Sequence, residues 1–179
     1  MRTPPTLVLG HGASGDATSM GPYVDGLAER GIAAVAIDLP RRGRSVVPAE
    51  GAVDAFAAQV AAGDAVGGHS YGGRVASLVA AAQPNSIAAL VLYSYPLHAP
   101  GRPEGWDART AHWSSIRCPV LLLVGDADPF VRLDLLEQAS ARLARAELAV
   151  IPGGRHGLHR SAAFGEVLDR SAAFLRSLG

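Results

Sequence analysis

The stretch Asp64-Ala65-Val66-Gly67-Gly68-His69-Ser70-Tyr71-Gly72-Gly73 decides how this chain is read. Its core, Gly68-His69-Ser70-Tyr71-Gly72, fits G-x-S-x-G. In that pattern a serine occupies a sharp turn from strand to helix, and glycines remove the Cβ clashes such a turn creates. With 21 Gly in 179 residues the pattern also arises from composition alone, so its surroundings decide. Downstream, Tyr71 to Gln83 is an Ala-rich amphipathic segment of helical length that stops before Pro84. Upstream, Asp64 to Gly68 is short and glycine-rich. On propensity it reads as loop, and only its place between two helices argues for a strand.

Outward from the elbow, apolar runs recur at Thr6 to Leu9, Ile32 to Ile37, Ala88 to Tyr93, Pro119 to Val124 and Glu147 to Ile151. Each reads as a strand buried on both faces. Helical stretches alternate with them at Met20 to Arg30, Val53 to Ala62, Leu133 to Leu143 and Ser161 to Leu178, and Gly31 marks one helix end. The expectation is one α/β domain over residues 1–179, a three-layer α/β/α sandwich of about six parallel strands. In spatial order 2-1-3-4-5-6, the connections after the first and third strands diverge to opposite sides of the sheet and open a crevice. Tyr95 to Arg117, with three Pro and two Trp, is long for a plain connection and can form a small lid.

Composition narrows the function classes. The 18.4 kDa chain is 49% hydrophobic and 18% charged, enough to bury a core without disulfides or metal. Sixteen Arg, with no Lys, balance sixteen Asp and Glu, so no basic field favours nucleic acid or anionic membrane. The single Cys118 excludes an internal disulfide and a multi-cysteine zinc site. It is expected to be structural, and a lone thiol suits a reducing, cytoplasmic setting. No signal-peptide core and no run near the ~20 apolar residues of a membrane span is apparent.

A serine nucleophile of this type needs an acid and a histidine in later post-strand loops. Gly125-Asp126-Ala127-Asp128-Pro129 offers two acids, each of which also fits a turn or cap. Pro152-Gly153-Gly154-Arg155-His156-Gly157 offers His156, preferred over its neighbour His159. The loop Gly10-His11-Gly12-Ala13-Ser14-Gly15 can supply one main-chain N–H to an oxyanion, and Tyr71, next after Ser70, supplies another.

Taken together, the His11-Gly12 loop, Asp38 to Ser45, the Ser70 elbow, Gly125 to Asp128 and Gly153 to His156 resemble the α/β-hydrolase superfamily over nearly the whole chain. The similarity is greatest to small, cap-poor members near the dienelactone-hydrolase-like group. The resemblance implies Asp128, the final residue of a G-x-x-D loop, as the acid, and Ala13 and Tyr71 as oxyanion donors. Two N-terminal strands and the large cap usual in that superfamily are missing. Dienelactone hydrolases carry Cys where this chain has Ser70, so their substrate is not carried over.

The implied chemistry is hydrolysis of a small-molecule carboxylic ester or thioester by Ser70, Asp128 and His156, with no metal or organic cofactor. An acyltransferase on the same triad, or a catalytically silent binding protein on this fold, are the alternatives. Oligomeric state is not legible. Arg41, Arg42 and Arg44 read as a solvated loop, Trp106, Trp113, Tyr93 and Tyr95 as pocket lining or packing, and His69 as a polar spacer in the elbow or a substrate contact.

Overall fold

In the computed structural model, which describes residues 3–179, β1 (Leu7–Gly10) leads through α1 (Gly21–Ala28) to β2 (Ala34–Ile37). A two-residue-per-arm hairpin, β3 (Arg41–Arg42) and β4 (Ser45–Val46), and α2 (Val53–Ala57) precede β5 (Ala65–His69). Then come α3 (Tyr71–Ala82), β6 (Ala89–Tyr93), α4 (Trp106–Thr110), β7 (Val120–Gly125), α5 (Leu133–Ser140), β8 (Ala146–Ile151) and α6 (Phe164–Arg176). Six strands form one parallel sheet in the order β2-β1-β5-β6-β7-β8. Counting only those six, this is the expected 2-1-3-4-5-6.

Alternation along the strands explains their unbroken apolar runs. Val8, Val66, Leu90, Leu92, Leu122 and Val124 face α3 and α5, whereas Leu7, Leu9, Val91, Tyr93, Leu121 and Leu123 face α1 and α6. Both sides of the central strands are therefore core. The two edge strands depart from the expectation of full burial: Val35 of β2 is 47% exposed and Val150 of β8 is 36% exposed, each strand having a neighbour on one side only.

The glycine-rich segment before Ser70 is a full central strand, paired with both β1 and β6. Its glycines are required by close approach: a Cβ on Gly67 would run into the Val91 carbonyl, and one on Gly68 would sit 2.5 Å from the Gly10 oxygen. The weak propensity of this strand is the cost of bringing neighbouring backbones together. Gly31 has φ +72°, and the Ile32 N–H returns to the Leu27 carbonyl, which closes α1 as expected of a C-terminal glycine.

The segment 95–117 is not a detached lid. Tyr95, Leu97, Thr110, Trp113 and Ile116 are buried, and the Trp113 ring lies 5.0 Å from that of Tyr95 within the α3-side core. Arg142, just beyond α5, stacks over Trp106 at 4.8 Å and bonds Thr110 and Asp107. No helix among the described residues is long and apolar enough to cross a membrane.

Candidate active site

The site forms where β1, β5, β7 and β8 release their chains at one edge of the sheet. Gly10, Gly68 and Gly72 let the first turn of α3 press directly on the end of β1. A Cβ on Gly72 would overlap the Gly10 carbonyl, and one on Gly68 would lie 2.7 Å from the Gly72 carbonyl carbon. Ser70 is thereby forced to φ 52°, ψ −114°, a region costly for a residue with a Cβ, and its N–H is anchored to the Tyr93 carbonyl at 3.0 Å. The same device joins the two later loops. A Cβ on Gly125 would overlap the Gly154 backbone, and the Ala127 N–H donates to the Gly154 carbonyl at 3.0 Å.

These approaches bring Ser70, Asp128 and His156 together. His156 Nδ1 lies 2.9 Å from Oδ2 and 3.1 Å from Oδ1 of Asp128, and Nε2 lies 2.8 Å from Ser70 Oγ. A carboxylate only accepts, so Nδ1 carries the ring proton and Nε2 accepts from the serine hydroxyl. The Asp128 side chain is fully buried and also accepts the Phe130 N–H at 2.9 Å. Asp126, by contrast, accepts the Gly153 N–H at 2.7 Å and so ties the two loops together without touching His156. His159 stays off the serine. Its ring lies near Tyr23 and His69, and burial keeps its pKa below the usual histidine value.

The first loop is held by contacts that pattern reading missed. Buried His11 donates from Nδ1 to the Gly12 carbonyl at 2.8 Å, while its Nε2 accepts the Leu39 N–H at 3.0 Å. Gly12 also accepts the Gly15 N–H. In a trans peptide this turns the Ala13 N–H the opposite way, and no acceptor takes it among the described residues. Tyr71 opens α3, where an N–H has no intrahelical partner. Arg41 is exposed, as the solvated-loop reading expected, and in addition its guanidinium donates to the carbonyls of Ala13 and Gly15 and pins the loop from outside.

His69 also has a definite task. Its Nε2–H donates to the His156 main-chain carbonyl at 2.7 Å, bracing the histidine loop from the elbow. Burial, reinforced by the nearby charge of His156 and His159, lowers its pKa to about 4, so the ring is neutral. Phe130 packs on the His156 ring with centroids 4.3 Å apart. Its one sequence signal was its place two residues after Asp128, where an Asx turn is expected. Tyr93, Tyr95 and Trp113 are core residues.

Two cavities meet at Ser70 and Phe130. One, of about 710 Å³, runs past Ala13, Met20, Tyr23 and His69. The other, of about 720 Å³, is bounded by Val47, Tyr71, Arg74, Pro96 and Arg109. Segments 14–23 and 95–113 each line one of them, and the 46–49 stretch, not singled out in the sequence, lines the second.

Residues 3–174 match the family model described as an alpha/beta hydrolase domain, and the chain belongs to that family. The fold is similar to that of the Paleococcus ferrophilus monoacylglycerol lipase, at 18% identity and a TM-score of 0.83 over 98% of this chain and 96% of that one. It is also similar to a structure from work on carboxylesterases of Nitrososphaera gargenis, at 14% identity and a TM-score of 0.76, covering 97% and 92% of the two chains. The thioesterase domain from the curacin biosynthetic pathway aligns at 18% identity and a TM-score of 0.69, covering 96% and 91%. A search of curated proteins found no match.

Proposed function

We propose that this α/β hydrolase is a serine hydrolase that cleaves a carboxylic ester or thioester through an acyl-enzyme on Ser70. The observation that carries this reading is the unbroken hydrogen-bond chain from Ser70 Oγ through His156 to buried Asp128, at the junction of two cavities. His156 Nε2 takes the hydroxyl proton as Oγ bonds to the carbonyl carbon, and Asp128 holds the tautomer and stabilises the imidazolium. The Ala13 and Tyr71 N–H groups receive the oxyanion, each worth roughly 3 kcal/mol in comparable sites. His156 returns the proton to the leaving alcohol or thiol as the carbon–oxygen or carbon–sulfur bond breaks. A water deprotonated by His156 then releases the acid and restores Ser70. The solved structures named as a lipase and a thioesterase support an acyl substrate of this class. Buried, unpaired Cys118, with its thiol pushed up to about 11 by burial, accords with a cytoplasmic setting.

The test combines a fluorophosphonate probe with activated esters. Wild type is expected to take up one probe per chain, and Ser70→Ala none. Ser70→Ala, His156→Ala and the double variant are each expected to lose about the same factor in kcat, on the order of 10³ or more, because the pair acts as one unit. A Ser70→Ala protein that retains full esterase activity would overturn the reading.

A further inference from the structure

The cavity beside α4 carries two guanidinium groups, Arg74 and Arg109, where its neighbour carries one, Arg160. Arg74 is answered by Glu50, Nη2 to Oε1 at 2.5 Å. Arg109 has no carboxylate within ion-pair distance among the described residues. On its own segment Asp107 is taken by Arg142, and Glu104 makes no ion pair. Of the five N–H donors on Arg109, one is spent, from Nη1 to the Pro96 carbonyl at 2.9 Å. Its backbone is fixed by the Tyr95 hydroxyl, which donates to the Arg109 carbonyl at 2.8 Å.

A partly buried cation facing a second cation, with four of its five N–H donors unspent, is stabilised when something anionic completes it. Burial, and then the charge of Arg74, lowers the Arg109 pKa, which is the direction expected of a cation awaiting a counter-charge. Val47, Pro48 and Pro96 supply apolar walls beside the fork, in a cavity that stays open to solvent and so to an incoming ligand.

We infer that this second cavity binds an anionic oxygen group carried by the substrate, a carboxylate or phosphate, with the Arg109 fork as its partner and Arg74 as the supporting cation. The inference rests on the hydrolase reading and narrows it: the preferred ester or thioester bears a negative charge on the acyl or the leaving side, within reach of Ser70. A bidentate guanidinium pair gives such a substrate orientation as well as affinity.

Two matched pairs locate the charge. The 4-nitrophenyl half-ester of glutaric acid against 4-nitrophenyl butyrate puts it on the acyl side. The acetate ester of 4-hydroxybenzoate against phenyl acetate puts it on the leaving side. In one of these pairs the anionic-to-neutral ratio of kcat/KM is expected to fall at least tenfold in Arg109→Met, with partial recovery in Arg109→Lys. That ratio in wild type is expected to drop as salt rises. Ratios unchanged by Arg109→Met in both pairs would overturn the inference while leaving ester hydrolysis intact. Calorimetry on Ser70→Ala separates the two claims. Binding of either anionic ester that is lost on adding Arg109→Met supports the anion site whatever becomes of the chemistry, and binding of both anionic esters unchanged by Arg109→Met refutes it.

Discussion

At the scale of single residues, the two aspartates of one loop have different work. Asp128 meets His156 with both oxygens, whereas Asp126 meets only the Gly153 main chain. Asp128→Asn is expected to lower kcat by about 10³ to 10⁴, since an amide can present N–H to Nδ1 and favour the wrong tautomer. Asp126→Asn is expected to cost about 1 kcal/mol of stability, for one hydrogen bond, and only a few-fold in rate. Steady-state kinetics and urea melts on both variants check this, and the reverse order of damage would move the acid by two residues. The hydrogen-bonding roles that pattern reading did not assign to His11, Arg41 and His69 share a reason. Each acts through main-chain atoms of a loop distant in sequence, and such partners leave no motif.

At the scale of elements, the site depends on strand ends that touch backbone to backbone. Gly125 of β7 meets Gly154 beyond β8, and these two ends carry Asp128 and His156. Gly125→Ala must push them apart. It is expected to destabilise the protein by about 2 to 3 kcal/mol and to reduce turnover more than the melt alone would suggest. Gly31→Ala is the control. Nothing lies within 4 Å of its Cβ position, so the cost is the left-handed backbone alone, about 1 kcal/mol, with activity unchanged. Equal effects of the two substitutions, read by melts and ester kinetics, would contradict this account.

At the scale of the whole molecule, folding buries imidazoles in the neutral form. His69 and His112 are each lowered by burial to about 4, from 6.5 in an open chain. A depressed histidine pKa means that the unfolded chain binds protons the folded chain refuses between those values. The stabilising contribution is therefore complete above pH 6.5 and is lost as pH falls toward 4. Each ring is expected to remove at most about 2 kcal/mol between pH 7.5 and 5, because both are partly solvated. Thermal melts across that window should show a falling Tm, with the fall reduced in His112→Asn. A Tm that does not change over the window would mean that these rings protonate freely in the fold.

Local information was enough for much of this. The alternation of apolar runs with helical stretches specified a parallel sheet and the elbow at Ser70, because strand burial and helix length are written in neighbouring residues; the strand order 2-1-3-4-5-6 was supposed rather than read, since it pairs strands far apart in the chain. The order of the Ser, Asp and His loops along the chain was legible for the same reason. Choosing Asp128 over Asp126 required family resemblance, and only geometry brings the Asp128 carboxylate to His156 Nδ1. Tertiary structure alone decided that the glycine-poor propensity of a good strand is sacrificed in β5, since the clash that demands glycine comes from Val91 and Gly10 on other strands. It also decided that segment 95–117 packs into the core, and that Arg109 lines one cavity with Arg74 while no acid among the described residues pairs with Arg109. These are relations between residues far apart in the chain, and they take effect only when the fold brings backbones and charges into contact.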